Sequence, residues 1–213
     1  MAQTNSDYKF VLIGNSGVGK TSIFRKLSTG EFSESNISTI GIEKKTFYVN
    51  IENNKKEKKS TNVALFDTAG EEKFRSITKS YYKSSDGILL IYDITNKETF
   101  QCISNWIESI KESIGGDSKY IIFLIGNKLD LINEDGYERQ VTEKEAKEEC
   151  EKLDMIWGGE QSTKDIKIEE LTQLFESYVQ KIYDKFGEKI NKKQKIERVG
   201  KYNDRKGCCQ SNV

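Results

Sequence analysis

The chain has 213 residues, with 34 Lys and Arg balanced by 34 Asp and Glu, no His, no Pro and four Cys. Without histidine, the sequence excludes Ser-His-Asp and Cys-His catalysis and any zinc site that needs an imidazole ligand. A net charge of zero indicates no nucleic-acid partner, and every apolar run is far shorter than the roughly 20 residues that cross a bilayer. The length suits one domain with a short extension.

Short apolar runs alternate with helical patterns along the chain. Buried strands, each a nearly continuous apolar run, are predicted at 10–13, 63–66, 88–92 and 121–125. Helices are predicted at 20–27, 73–82, 99–113, 143–153 and 167–186. One more strand, near residue 41, forms a hairpin with the second strand, and its Lys- and Asn-rich tip is predicted over 52–62. This pattern predicts an α/β fold with a mostly parallel sheet, one antiparallel hairpin and helices on both faces.

The last residues break this pattern. After residue 186 the apolar periodicity stops, and 187–207 hold eight Lys or Arg against three Asp or Glu. That segment therefore carries +5 and the remainder −5 (8 − 3 = 5, with zero for the whole chain). We predict one domain over 1–187 and a flexible basic tail over 188–213.

The four cysteines fall into two groups. Cys102 and Cys150 lie in helical patterns and are predicted to be buried thiols. Cys208 and Cys209 are adjacent near the end of the chain. Neighbouring cysteines in a polar tail make a poor disulfide framework, so we predict a reducing compartment.

A glycine-rich loop follows the first predicted strand. Residues 14–21 read Gly-Asn-Ser-Gly-Val-Gly-Lys-Thr and match GxxxxGK[ST]. The glycines let successive N–H groups point at a phosphate at the positive end of the next helix, Lys20 adds a charge, and the Thr21 hydroxyl can ligate Mg²⁺. The alternative is a glycine turn that only joins a strand to a helix. The predicted phosphate-binding residues are Ser16, Gly17, Val18, Gly19, Lys20, Thr21 and Ser22.

A second motif predicts the base. Asn127-Lys128-Leu129-Asp130 directly follows the predicted strand at 121–125. A carboxylate accepts two hydrogen bonds, and guanine presents its N1–H and 2-amino group side by side, whereas adenine has no such pair of donors. An unpaired carboxylate is costly, so Asp130 is predicted to select GTP and GDP.

With these motifs in this order, the chain resembles the small GTPases of the Ras superfamily, in the Rab branch. The matching segments are 38–41 (first switch), 67–70 (DxxG), 74–77 with 81–82 (second switch), 160–164 (the ExSAK loop, here Glu-Gln-Ser-Thr-Lys) and the last cysteines. The resemblance implies a P-loop NTPase G domain with a six-stranded sheet and about five helices. It also implies hydrolysis of GTP to GDP and phosphate with Mg²⁺, in a membrane-associated switch for vesicle trafficking.

The resemblance assigns roles to further residues. It implies nucleotide contacts from Phe32, Thr39, Gly70, Asn127, Lys128, Asp130, Ser162, Thr163 and Lys164. It implies metal ligation by Thr21 and Thr39, with Asp67 acting through water. It implies catalytic roles for Lys20, Thr39, Gly70 and Glu71. Other interpretations stay open at three positions: Thr39 as an ordinary loop residue, Asp67 as a turn cap and Phe32 as a core residue.

The residue after the DxxG motif departs from the family. Relatives have Gln there, and this chain has Glu71. Glutamine can both accept from the attacking water and donate to the transition state, whereas an ionised glutamate can only accept and adds negative charge. Hydrolysis is therefore expected to be altered, in a direction that the sequence leaves open.

The effector surface also departs from the family. An aromatic trio is usual in Rab relatives, and this chain has Lys44, Phe66 and Tyr81 at those positions. A lysine removes an apolar anchor and adds charge, so its effectors are expected to differ. The predicted switch and effector residues are Ile40, Gly41, Lys44, Phe66, Phe74 and Tyr81.

The tail resembles the double-cysteine ends of Rab proteins. Cys208 and Cys209 are implied to carry geranylgeranyl groups, although four residues follow them and neither is in a C-a-a-X position. Two lipid chains with a basic segment would hold the protein on an anionic membrane, at the cytoplasmic face of intracellular membranes. Unmodified thiols are the alternative. The implied partners are an exchange factor, a GTPase-activating protein, effectors, an escort protein and a GDP-dissociation inhibitor. The protein itself is expected to be a monomer.

Two other functions compete with this one. A GTP-loaded scaffold that scarcely hydrolyses is suggested by Glu71. A P-loop phosphotransferase acting on a small substrate is the second, although the sequence holds no lid insertion and its base motif favours guanine.

Overall fold

One six-stranded sheet organises the structure. The computed structural model describes residues 7–32, 41–68, 81–114 and 119–187. The strands are β1 (Tyr8–Ile13), β2 (Ile42–Glu52), β3 (Lys58–Thr68), β4 (Gly87–Asp93), β5 (Ile121–Asn127) and β6 (Ile156–Gln161). Their order across the sheet is β2-β3-β1-β4-β5-β6, and only β2 and β3 are antiparallel. The predicted α/β sheet and its four apolar strands are confirmed.

Helices cover both faces of the sheet. They are α1 (Lys20–Thr29), α2 (Lys97–Gln101), α3 (Ile103–Ser113), α4 (Glu143–Leu153) and α5 (Ile168–Phe186), with a short 3-10 helix at Leu129–Asn133. The apolar sides of α1 and α5 pack on one face, and those of α3 and α4 on the other. The carboxyl ends of the parallel strands meet at one edge, where ligands bind in such sheets. Within the described residues, no helix is long and apolar enough to span a membrane.

The single helix predicted at 99–113 is wrong, because the structure has two helices there. The first begins earlier than predicted, since the Asn96 side chain accepts a 3.0 Å hydrogen bond from the Glu98 N–H and caps it. Cys102 ends α2 and precedes α3. Its side chain is only half-buried, against the prediction, whereas Cys150 is buried as predicted. The helix predicted at 73–82 lies almost entirely outside the described residues.

The hairpin tip is shorter than predicted. Residues 58–62, which were expected in the tip, belong to β3 and pair with β2 from Lys58 opposite Glu52 to Asn62 opposite Tyr48. These five residues are all polar, and they pair with β2 alone because β1 begins opposite Val63, so they lack the apolar run that marks a buried strand. The tip is therefore 53–57.

The sixth strand carries an irregularity. Trp157 pairs with Leu124 but Gly159 pairs with Ile125, so Gly158 is an extra residue in β6, as in a β-bulge. A side chain at 158 would lie 3.0 Å from the Leu124 carbonyl oxygen and 3.1 Å from the Tyr178 hydroxyl. That hydroxyl donates a 2.9 Å hydrogen bond to the Gly158 carbonyl. The nearest atom to a side chain at 158 is Ile125 Cγ1, at 2.9 Å, so glycine is required by the close approach of both β5 and α5.

Candidate functional site

The glycine-rich loop lies between β1 and α1, at the carboxyl edge of the sheet. Gly14 has φ +137° and Gly19 has φ +101°, in the region that favours glycine. A Cβ at Gly14 would overlap the Ile91 carbonyl, and one at Gly19 would overlap the Asn127 amide. The loop thus needs glycine at both positions for packing as well as for backbone conformation.

Lys20 is held inside this loop. Its ammonium donates to the carbonyl oxygens of Gly14 at 2.9 Å and Asn15 at 2.7 Å. Burial lowers the pKa of Lys20 to about 8, and the charge of Asp67 opposes that effect. The loop therefore holds a buried ammonium group, which a bound anion would stabilise.

Thr21 and Asp67 form the second buried contact of the site. The Thr21 hydroxyl donates to Asp67 Oδ2 at 2.7 Å, and the Asp67 side chain is fully buried. Burial raises the pKa of Asp67 to about 6, although the Thr21 hydrogen bond and the Lys20 charge both lower it. Asp67 Oδ1 is buried without a hydrogen-bond partner among the described residues. A carboxylate oxygen left over beside a hydroxyl fits the hard oxygen ligands that Mg²⁺ prefers.

Asn127 joins two loops that are far apart in sequence. Its amide nitrogen donates to the Val18 carbonyl at 2.8 Å. Its amide oxygen accepts from the Thr163 N–H at 3.2 Å and from the Thr163 hydroxyl at 2.8 Å. The structure therefore gives Asn127 a bridging contact in addition to the nucleotide contact predicted from the sequence.

The rest of the predicted base site lies beside this bridge. Lys128 has a left-handed backbone, with φ +71°, and its ammonium pairs with Asp93 at 2.8 Å. Asp130 is half-buried in the 3-10 helix and lines one open pocket together with Ser162. The Lys164 carbonyl accepts from Lys26 at 3.1 Å, and the Lys164 ammonium pairs with Glu134 at 3.2 Å.

The remaining described site residues divide between the loop and the effector surface. Ser16 and Gly17 are exposed, Val18 is buried, and Ser22, Phe32 and Gly41 are partly buried. Lys44 lies opposite Phe66 in the β2–β3 pair, with its ammonium 5.9 Å from the ring centroid. The Phe66 and Tyr81 rings are 5.2 Å apart, so the three positions of the predicted trio come together.

Other predicted residues lie outside the described part of the chain. They are Thr39, Ile40, Gly70, Glu71, Phe74, Cys208 and Cys209. The first two belong to the predicted first switch, the next three to the second, and the cysteines to the tail. Their assigned roles stay predictions.

Two contacts of the site were missed by sequence reasoning. The Trp106 indole N–H donates to Asn15 Oδ1 at 2.8 Å and ties α3 to the glycine-rich loop. Arg139 makes a bidentate pair with Glu160, at 2.6 and 2.8 Å, beside the base loop. Both join segments that are distant in sequence, so no local pattern signals them.

Comparisons with known proteins support the family resemblance that the sequence motifs indicate. A family model described as the Ras family matches residues 9–184, from β1 into α5. "Ras-related protein Rab-30" of Homo sapiens is 39% identical over 150 residues, covering 70% of this chain and 68% of that protein. "Ras-related protein Rab-8A" of Bos taurus is 41% identical over 151 residues (71% and 66%), and "Ras-related protein RabC" of Dictyostelium discoideum is 31% identical over 207 residues (95% and 97%).

Proposed function

Because the chain belongs to the Ras family and is a Rab-type small GTPase, which hydrolyses GTP to GDP and phosphate, we propose that the buried contacts described above form its nucleotide site. Rab proteins act as switches in vesicle trafficking, with regulators and effectors that sense the bound guanine nucleotide. These relationships do not favour the scaffold or the small-substrate phosphotransferase.

The phosphate end is assigned to the glycine-rich loop and Lys20. In this proposal the backbone N–H groups of residues 16–22 hold the phosphates, at the amino-terminal end of α1. The Lys20 ammonium exchanges its contacts with the Gly14 and Asn15 carbonyls for phosphate oxygens. Since the ammonium is buried, its charge is poorly screened there and stabilises negative charge that develops during hydrolysis.

The metal is assigned to Thr21 and Asp67. The observation that carries this assignment is Asp67 Oδ1, which has no hydrogen-bond partner in the described part of the chain, while Oδ2 of the same carboxyl accepts from the Thr21 hydroxyl. Thr21 would ligate Mg²⁺ directly and Asp67 would hold a metal-bound water. The ion, when bound, supplies positive charge that neutralises the phosphate oxygens.

The base end is assigned to two loops that Asn127 holds together. Asp130 accepts the N1–H and 2-amino hydrogen bonds of guanine, while Ser162, Thr163 and Lys164 contribute the loop that closes over the base, with Lys128 and Phe32 beside it. Asn127 sets the distance between this loop and the phosphate end, because it bonds both Val18 and Thr163.

The switches and the tail complete the proposal. Thr39 would ligate Mg²⁺ beside the γ-phosphate, and the Gly70 N–H would donate to a γ-oxygen. Both loops relax once that phosphate is lost, and effectors sense the change at the surface formed by Ile40, Gly41, Lys44, Phe66, Phe74 and Tyr81. Glu71 orients the attacking water. The G domain occupies 1–187, and the basic tail, 188–213, carries lipid on Cys208 and Cys209. The protein then works as a monomer on the cytoplasmic face of intracellular membranes, with an escort protein and a GDP-dissociation inhibitor as partners.

A nucleotide-competition experiment tests the base assignment. Fluorescent GDP bound to the protein is displaced by GDP, by ADP and by inosine diphosphate, which lacks the 2-amino group. We expect the wild-type protein to prefer GDP over inosine diphosphate by at least about tenfold, since a hydrogen bond to a charged group contributes about 1.5–3 kcal/mol. Asp130→Ala should bind GDP more weakly and lose that preference.

Asp135→Ala is the matched control, because Asp135 is an exposed carboxylate five residues after Asp130, just beyond the 3-10 helix. It should keep the wild-type preference. The assignment fails if Asp130→Ala still prefers GDP over inosine diphosphate, or if ADP displaces fluorescent GDP from the wild-type protein as well as GDP does.

A further inference from the structure

The hairpin between β2 and β3 ends in a folded, lysine-rich tip. Asn53 organises it: its side-chain oxygen accepts from the Lys55 N–H at 2.8 Å and the Glu57 N–H at 3.0 Å. Lys56 adopts a left-handed backbone, with φ +61°. Lys55, Lys56 and Lys58 are all exposed on this built turn. The lysines are therefore presented by a defined loop rather than by a frayed end.

The tip is fastened to the carboxyl end of α5. The Asn54 N–H donates to the Tyr183 hydroxyl at 3.3 Å. One turn earlier, the Gln180 side chain accepts from the Glu52 N–H at 2.8 Å and donates to the Glu52 carbonyl at 3.1 Å. Because α5 ends at Phe186, these contacts hold the tip beside the point from which the basic tail continues.

More positive charge gathers around the same helix end. The ammonium groups of Lys119 and Lys185 lie 6.0 and 5.5 Å from the centroid of the Phe186 ring. The nearby carboxylates are held by amides: Asn53 donates to Glu57 at 2.9 Å and Gln180 donates to Asp184 at 2.8 Å. Among the described residues, no ion pair joins a carboxylate to the five lysines of this surface, Lys55, Lys56, Lys58, Lys119 and Lys185.

We propose that these five lysines form a basic surface that binds the anionic headgroups of a membrane. Two of the five lysines lie beside the Phe186 ring, and basic side chains together with apolar ones such as Phe are favoured where a protein lies on the lipid headgroups. The position of this surface beside the tail is the reason to choose a membrane over an acidic protein. The proposal rests on the proposed function in one respect, since lipid on the tail would bring this end of the molecule to the bilayer.

Binding of the unlipidated full chain to vesicles tests this surface. The GDP- and Mg²⁺-loaded protein is sedimented with phosphatidylcholine vesicles, with and without about one third phosphatidylserine, at low and at high salt. Each lysine near such a surface raises partitioning by about fivefold, so the triple variant Lys55→Gln, Lys56→Gln, Lys58→Gln should lose between about tenfold and about a hundredfold. High salt should remove most of the difference, because it screens surface charge.

The matched control removes three charges from the other edge of the sheet. Lys144→Gln, Lys147→Gln, Lys152→Gln changes exposed residues of α4 and lowers the net charge by the same amount. It should lose less than about threefold. Equal losses in the two triple variants, or wild-type binding by the tip variant, would overturn the proposal.

Two further readouts separate the possible failures. If the tip variant loses binding to a polyglutamate peptide but not to vesicles, the surface serves an acidic protein and the membrane proposal is wrong. Mass spectrometry of Cys208 and Cys209 from the native cell tests the lipid anchor separately. Unmodified cysteines would contradict the proposed lipid anchor, but they would not alter the result of the vesicle experiment on the hairpin tip.

Discussion

Replacing Asp67 by Asn should make the nucleotide-free protein more stable relative to wild type as pH rises. Burial raises the pKa of Asp67 from 3.8 to about 6, so folding disfavours the ionised carboxylate by about 3 kcal/mol. Between about pH 4 and pH 6 the unfolded wild type releases this proton before the folded form does, and wild-type stability falls as pH rises. Asparagine releases no proton. Lys20, with a pKa of about 8, stays charged over this range and does not mask the effect.

The measurement is urea unfolding of both proteins in EDTA, without nucleotide, from pH 4 to pH 7. The free energy of unfolding of Asp67→Asn minus that of wild type should rise by up to about 3 kcal/mol across this range, whatever its value at pH 4. Asp184→Asn, at an exposed site, should show a change within about 0.5 kcal/mol. With Mg²⁺ and GDP present, wild type should be more stable than Asp67→Asn, because only wild type keeps the carboxylate that is proposed to hold a metal-bound water. A difference that stays constant with pH would refute the reasoning.

Two more substitutions test the site. Asn127→Ala should lower the free energy of unfolding by about 2–4 kcal/mol and speed GDP release, since the Val18 carbonyl and the Thr163 donors lose a buried partner; a loss below about 0.5 kcal/mol with unchanged release would contradict the bridge. Since the proposal places Glu71 at the attacking water, Glu71→Gln should change single-turnover GTP hydrolysis by about tenfold, upwards if the negative charge opposes the reaction and downwards if the carboxylate orients the water better than an amide does; equal rates would show that the residue does not act in the reaction.

The parts of the site that sequence predicts are the local ones. A phosphate-binding loop closes within a few residues, so Lys20 and Thr21 follow the glycines at a fixed spacing. The sequence of the loop is therefore enough to predict where these two residues lie. The bridge of Asn127 to Thr163 depends on two strands meeting side by side, which no local pattern encodes. For the same reason the pairing of Lys128 with Asp93 could not be predicted.

The fold shows the same division. Strands that are buried on both faces can be recognised in the sequence as apolar runs, and all four strands predicted in this way are confirmed. The family resemblance implies six strands, but the sequence patterns locate only five, because β6 contains Gly158, Gly159 and two polar residues and resembles a loop. At the hairpin, residues 58–62 of β3 are all polar, so they also resembled a loop.

The extra residue in β6 has a consequence for how this chain can vary. A phenol from α5 occupies the volume that a side chain at position 158 would need, and bonds the backbone there. A smaller residue at 178 would not by itself admit a side chain at 158, because Ile125 Cγ1 at 2.9 Å and the Leu124 carbonyl oxygen at 3.0 Å also border that position. Glycine should therefore persist at position 158 in descendants of this sequence, whatever residue stands at position 178.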